Sequence, residues 1–127
     1  MFLLDTNALL AHLLYPTRLG GQTVRNLRRA ENVFFSSVSI AEISIKQLIK
    51  KLTFSDSILQ LARDSELQEL PFGITAAVEV AAFSSLVGHD PFDRMIVASA
   101  SSSHLNLVTS DRAILSLGLH WIQDSFR

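Results

Sequence analysis

The chain has 127 residues, 48% of them hydrophobic and 18% charged, with no cysteine and a formal net charge of -1. That length suits one domain around one core, and that composition excludes a disordered chain. The lack of cysteine excludes disulfides and thiolate metal sites, and the near-neutral balance excludes the basic surplus by which many nucleic-acid binders announce themselves.

In chain order, Phe2-Leu3-Leu4 is too short for a helix and suits a buried strand ending at Asp5. Asp5, Thr6 and Asn7 then offer cap residues before Ala8, Leu9, Leu10, Leu13 and Leu14, a helix that stops before Pro16. Gly20-Gly21 marks a loop, and residues 23–31 read as a basic helix with Val24, Leu27 and Ala30 inward. Val33-Phe34-Phe35 is a second strand. Residues 40–52 follow as a helix whose predicted inner stripe is Ala41, Ile45, Leu48, Ile49 and Leu52, with Glu42, Lys46 and Lys50 outward. Residues 56–67 read as another amphipathic helix, and residues 67–71 as a short edge strand, because proline is excluded from central ones. Thr75 is placed to cap an alanine-rich helix over 76–86. A helix begins near Pro91 and ends in the polar run Ser99–Ser103. Residues 106–109 form a strand, 111–117 a short helix closed by Gly118, and 120–123 a last strand.

Strands that alternate with helices imply a parallel sheet covered on both faces. No repeat or linker divides the chain, so residues 1–127 are expected to form one domain. No cationic stretch followed by an apolar run opens the sequence, and no apolar run approaches the ~20 residues of a membrane span. A soluble, cytoplasmic protein with no membrane partner is therefore expected. Two basic clusters stand out: Arg25, Arg28 and Arg29, and Lys46, Lys50 and Lys51. Each reads first as a solvated helix face.

The central stretch is His89 to Ala100, HDPFDRMIVASA. Pro91 biases Asp90 away from helix and suits a first helical position. Asp90 and Asp93 thus sit at a helix start, where the dipole favours acids. Three other acids are comparably placed: Asp5, Glu42 and Asp111. Each has a structural use. Asp5 and Asp111 can cap helices. Ser39 with Glu42 fits a capping box, and Glu42 with Lys46 makes a helix pair worth about 0.2–0.5 kcal/mol.

Together they carry more. Asp5 and Asp111 each follow a strand, at the sheet edge where open α/β sheets bind ligands. Glu42 and Asp93 begin helices, which start at that same edge. Carboxylates gathered in one cleft repel and raise each other's pKa values, and a hard divalent cation removes the penalty. Such a cation can activate water and clamp a phosphodiester. Other chemistries fit poorly. His12, His89, His104 and His120 lack zinc spacing, Gly20-Gly21 is no phosphate loop, and the serines lack a nucleophile elbow. Among the histidines only His89 adjoins the acidic stretch.

With Asp5-Thr6-Asn7, Ser39 to Glu42, Asp90 to Arg94 and Thr109 to Arg112 in view, the chain resembles the PIN-domain family over its whole length. It is most similar to the VapC-type toxins of toxin–antitoxin pairs. LLDTN, SIAEI, DPFDR and LVTSD come in the family's order, and DPFDR is the most specific. The resemblance implies a three-layer α/β/α fold with a mainly parallel sheet of about 4–5 strands. It implies an endoribonuclease that uses magnesium or manganese to activate water and leaves 5′-phosphate and 3′-hydroxyl ends. Asp5, Glu42 and Asp93 match the family's metal-site acids, and Asp111 the fourth, more variable one. Asn7 and Thr109 match supporting positions, and Asp90 a structural one. Family members usually have a residue between the histidine and DPFDR; here His89 abuts Asp90, and no role is carried over to it. The resemblance further implies an RNA substrate, a cognate antitoxin and a homodimer. Two other readings remain open: a non-catalytic RNA-binding or regulatory scaffold, and a DNA-directed nuclease of the same chemistry. Arg94 and Arg112 could serve substrate phosphate or pair with a neighbouring acid.

Overall fold

Phe2–Leu4 forms strand β1, and the next residue already caps a helix. In this computed structural model, residues 1–53 and 57–127 are described. Five strands make one parallel sheet in the order β3-β2-β1-β4-β5, where β2 is Val33–Ser36, β3 Gln68–Leu70, β4 Asn106–Thr109 and β5 Ile122–Asp124. The parallel α/β architecture read from the alternating pattern is therefore the one observed.

Seven helices are present among the described residues: α1 (Thr6–Leu14), α2 (Gly21–Arg29), α3 (Ser37–Leu48), α4 (Ile58–Asp64), α5 (Ile74–Glu79), α6 (Pro91–Ser102) and α7 (Arg112–Leu115). The layering follows from strand alternation. Leu3 and Leu107 face a core formed with Phe83, Leu86, Ile96 and Val97. Their neighbours Leu4 and Val108 face a second core formed with Leu9, Ile43, Ile58 and Ala62. Two apolar cores on opposite faces of one sheet give three layers. Among the described residues, no helix is long and apolar enough to cross a membrane.

The chain lays β2 and β3 to one side of β1, then returns to place β4 on its other side. The crevice between the ends of β1 and β4 is thus the topological switch point, where open sheets of this kind take ligands.

Four local expectations need correction. Gly20-Gly21 is no loop: Gly20 is the N-cap of α2 and Gly21 its first residue, so the helix starts two residues earlier than predicted. A segment near the chain's last residue makes this possible. Gly20 N–H donates to the Ser125 carbonyl at 2.8 Å and Thr23 N–H to the Arg127 carbonyl at 3.0 Å. A Cβ on Gly20 would lie 2.0 Å from that Arg127 oxygen, so only glycine fits. The helix predicted over 76–86 starts earlier, capped by Gly73 rather than Thr75, and then tightens into 3-10 geometry over Val80–Leu86. Its kink at Phe83 lets that ring enter the core. Four of the five residues predicted to be inward on this helix face outward: Ala41, Ile45, Leu48 and Ile49 are exposed, while Val38, Ser39, Glu42 and Ile43 are buried; Leu52, beyond the end of α3, is half-buried against the second core as expected. Finally, Ser39 caps nothing; Ser36 is the N-cap of α3, accepting from Val38 N–H at 3.0 Å. The predicted start of the next helix, at residue 56, lies outside the described residues; α4 is capped by Ser57.

Candidate active site

Asp5 leaves β1 at the switch point and is buried. Its backbone continues the sheet, donating to the Val108 carbonyl at 3.1 Å. Its side chain serves two neighbours. Oδ1 accepts from Ala8 N–H at 2.8 Å and caps α1, and Oδ2 accepts from the Thr109 hydroxyl at 2.5 Å. Thr109 Oγ1 in turn accepts from Asp111 N–H at 3.0 Å. One threonine thus ties the acid that follows β1 to the acid that follows β4. Asp111 caps α7 through Ile114 N–H at 3.0 Å.

Asp90 caps α6 by accepting from Phe92 N–H at 2.8 Å, with Pro91 at the first helical position. Asp93 follows in that first turn. His89 Nε2 lies 2.9 Å from Asp111 Oδ2 and 3.2 Å from Asp93 Oδ2. One ligand atom from each of His89, Asp93 and Asp111 falls within 4.8 Å of the others, a spacing able to hold a metal ion. Asp5 and Glu42 are more deeply buried than these three.

Glu42 is reached from α3. Its side chain is 4% exposed, and it does not reach back to cap its own helix. Oε1 accepts from the Thr6 hydroxyl at 2.7 Å, and Oε2 pairs with Lys46 Nζ at 2.5 Å. Ser39 Oγ lies 3.0 Å from Thr6 Oγ1. Thr6, Ser39 and Lys46 were not read as site residues from the sequence. The available signal was Thr6 itself: a hydroxyl one residue after the strand-ending acid, on a helix whose inner face is otherwise apolar.

The acids lie close enough to perturb one another. Burial, opposed by the Thr109 and Ala8 hydrogen bonds and reinforced by Asp111 and Glu42, pushes the Asp5 carboxyl up to about 6. Burial and the charges of Asp90, Glu42, Asp5 and Asp111 push Asp93 up to about 7. Burial works to lower the His89 pKa, but Asp111 and then Asp93 outweigh it, and the net direction is upward. The Glu42 hydrogen bond raises the Lys46 pKa. Among the described residues, no lysine or arginine pairs with Asp5, Asp93 or Asp111. The sequence-predicted acids Asp5, Glu42, Asp93 and Asp111 therefore share one electrostatic neighbourhood. Thr109 lies inside it. Asn7 is exposed and borders an adjoining groove. Arg112 pairs with Asp124 at 3.2 Å, and Arg94 forms no ion pair among the described residues.

The PIN-domain family model matches residues 2–118. The chain belongs to the PIN-domain family. PIN domains are generally nucleases and typically use divalent metal ions. Solved structures agree on the fold. VapBC2 from Rickettsia felis, bound to a DNA fragment from its promoter, is similar at a TM-score of 0.70 and 15% identity, covering 97% of each chain. DNA-bound VapBC from Salmonella typhimurium is similar at 0.66 and 22%, covering 97% of this chain and 96% of that one. VapBC-5 from Mycobacterium tuberculosis, a member of the VapBC family of toxin-antitoxin systems, is similar at 0.59 and 21%, covering 96% and 94%. No curated protein sequence gave a significant match. The three-layer PIN fold expected from DPFDR and its companion motifs is thus the fold this chain has.

The donor set fits a hard cation. Carboxylate oxygens with one imidazole suit magnesium or manganese better than a soft metal. A buried carboxylate that faces other acids without a cationic side chain also leaves negative charge for such an ion to neutralise.

Proposed function

We propose that this PIN domain is the toxin of a toxin–antitoxin pair, a cytoplasmic endoribonuclease that depends on magnesium or manganese. The observation that carries the reading is the convergence of Asp5, Glu42, Asp93 and Asp111 on the β1–β4 switch point, with two of these carboxyls held well above their ordinary range. In this reading Asp5, Glu42, Asp93 and Asp111 would hold the ion.

A bound divalent cation supplies charge neutralisation for the phosphodiester and activation of a water molecule. The chain's own residues set the geometry. Thr109 holds Asp5 Oδ2 in place and positions the Asp111 backbone, so both acids are fixed before substrate arrives. Thr6 holds Glu42 Oε1, and Lys46 balances part of the charge that Glu42 brings into a buried position. His89 bridges Asp93 and Asp111 and limits their mutual repulsion. The products would carry 5′-phosphate and 3′-hydroxyl ends.

Support for protein partners comes from apolar side chains left in solvent, Ile45, Leu48 and Ile49 around α3 and Ile74 and Val78 on α5. The reading includes a cognate antitoxin, as the similar solved toxin–antitoxin complexes suggest, and a homodimer.

The test is cleavage of structured RNA with magnesium, with and without a chelator, followed by end analysis. Cleavage that survives chelation, or products with 2′,3′-cyclic ends, would overturn the mechanism. Equal cleavage of single-stranded DNA would move the substrate class. Tight cation binding without any cleavage would favour a scaffold.

A further inference from the structure

A groove of about 570 Å³ lies along α1, close in the chain to two of the acids. One wall is a single helical face, Asn7, Leu10, Ala11 and Leu14, spaced three and four residues apart. Asn7 is two residues from Asp5. Ser110, between Thr109 and Asp111, lines the same groove, so residues that follow both of the strands bearing Asp5 and Asp111 take part in it. Tyr15, Arg18, Lys51 and Phe126 line it as well. By helical rise, Asn7 to Tyr15 spans about 12 Å.

The contents of this groove differ from those of the acid cluster. The Arg18 guanidinium lies 4.3 Å from the Tyr15 ring centroid, so ring and cation form one stacked pair. Tyr15 is 47% exposed and Phe126 60% exposed. Among the described residues neither Arg18 nor Lys51 forms an ion pair. Exposed aromatic rings interleaved with such cations, on an apolar floor, are what single-stranded nucleic acid uses: bases stack and phosphates meet the cations. The acids repel a polyanion wherever no metal screens them, so the chain needs positive charge nearby to hold one. Arg18 and Lys51 supply it on this flank.

We propose that this groove is the subsite for the single-stranded RNA flanking the scissile bond, with a base stacked on the Tyr15–Arg18 pair and phosphates held by Arg18 and Lys51. The proposal rests on the nuclease reading and goes further, because it names the residues that would set substrate affinity and the strand character of the target. Tyr15 holds its place by a backbone bond to the Ala11 carbonyl, so its side chain is free to act and can be changed without undoing the helix end.

The experiment uses Asp93→Asn protein, so that RNA is bound without being cut. A short fluorescein-labelled single-stranded RNA of mixed sequence is titrated by anisotropy at several salt concentrations. Tyr15→Ala is expected to weaken binding roughly tenfold, and Tyr15→Phe to restore it, since stacking needs the ring and not the hydroxyl. Lys51→Ala is expected to reduce the salt dependence by about one phosphate contact. In the cleaving parent, Tyr15→Ala raises KM and leaves kcat nearly unchanged. Thermal unfolding checks that each variant folds; should Tyr15→Ala not fold, Lys51→Ala alone decides. RNA affinity unchanged in folded Tyr15→Ala and Lys51→Ala proteins overturns the proposal and leaves the groove to a protein segment. The two readings fail separately. If RNA binds through Tyr15 but the parent never cleaves it, the nuclease reading falls and the groove stands; if cleavage proceeds with KM indifferent to Tyr15, the reverse holds.

Discussion

Asp5→Asn should make the metal-free protein more stable while ending cleavage. At pH 8 the native Asp5 is ionised, although burial has pushed its pKa from 3.8 to about 6. Holding that charge in the fold costs about 3 kcal/mol relative to the unfolded chain, at 1.36 kcal/mol per pH unit of displacement. Asparagine removes the charge. It caps α1 as well as aspartate does, so the bond from Ala8 N–H survives. The bond from Thr109 becomes a neutral one, and its preference for the charged carboxylate is already contained in that pKa. The net gain is about 3 kcal/mol at pH 8, or roughly 10 °C in Tm for a domain of this size. The pH dependence has a definite sign. The native carboxyl binds its proton more tightly than the unfolded one, so its penalty is absent below about pH 4. The penalty grows by about 1.4 kcal/mol per pH unit towards pH 6 and is constant above. The stability gap between variant and parent should therefore open from pH 4 to 6 and then level off. Thermal unfolding in chelator across that range measures it. A variant less stable than its parent at pH 8, or a gap independent of pH, would refute the account of Asp5 as a charge waiting for a cation.

Magnesium should stabilise the parent by about 1.4 kcal/mol when present at about ten times its Kd, with a clearly smaller gain at pH 6. Asp93, raised to about 7, is then protonated and competes with the ion; calorimetry at the two pH values decides. Thr6→Val should destabilise the fold by about 1–3 kcal/mol by leaving Glu42 Oε1 unpaired in a buried position, and Thr6→Ser should restore both stability and cleavage. Equal Tm values for the parent and the Thr6→Val protein would remove Thr6 from the site. Gly20→Ala should cost about 1–3 kcal/mol, because its Cβ meets the Arg127 carbonyl and must displace the segment that caps α2. An unchanged denaturation midpoint would mean that this segment does not hold α2.

Much of the fold was legible because it depends on local signals. The run Phe2–Leu4 ending at a polar cap, and Pro91 after Asp90, each specify an element without help from the rest of the chain. Asp5, Asp93 and Asp111 were legible for the same reason, since each stands at an element's start or end, whereas Glu42, expected near a helix start, lies in the middle of α3. Of the partners of Glu42, Lys46 was legible as a helix pair but not as a buried one, and Thr6 was not legible. Thr6 and Lys46 matter because α1 and α3 bring them to one buried carboxylate, and a pair four residues apart on a helix looks like surface until its burial is known. The start of α2 was equally hidden, because it depends on a segment about 100 residues away. Periodicity cannot report a contact between distant parts of a chain.

The reversal of α3 carries the most consequence. Its Ala41, Ile45, Leu48 and Ile49 have the spacing of a core stripe, yet Leu48 is 82% exposed. The inner face instead carries Ser39 and Glu42, polar residues that both hydrogen-bond with Thr6, with Val38 and Ile43 also buried there. A helix with an apolar outer stripe and a charge on its inner face is poorly arranged for an isolated monomer. Covering that stripe with another copy of the chain would correct it, each fully buried leucine or isoleucine contributing about 1.5–3 kcal/mol. The purified protein should therefore run as a dimer in light scattering, and Leu48→Asp should run as a folded monomer with a lower thermal midpoint, because the stabilisation from association is lost, and with RNA binding per chain preserved. A parent that is monomeric at high concentration, or a Leu48→Asp protein that still dimerises, would show that the stripe serves some other chain.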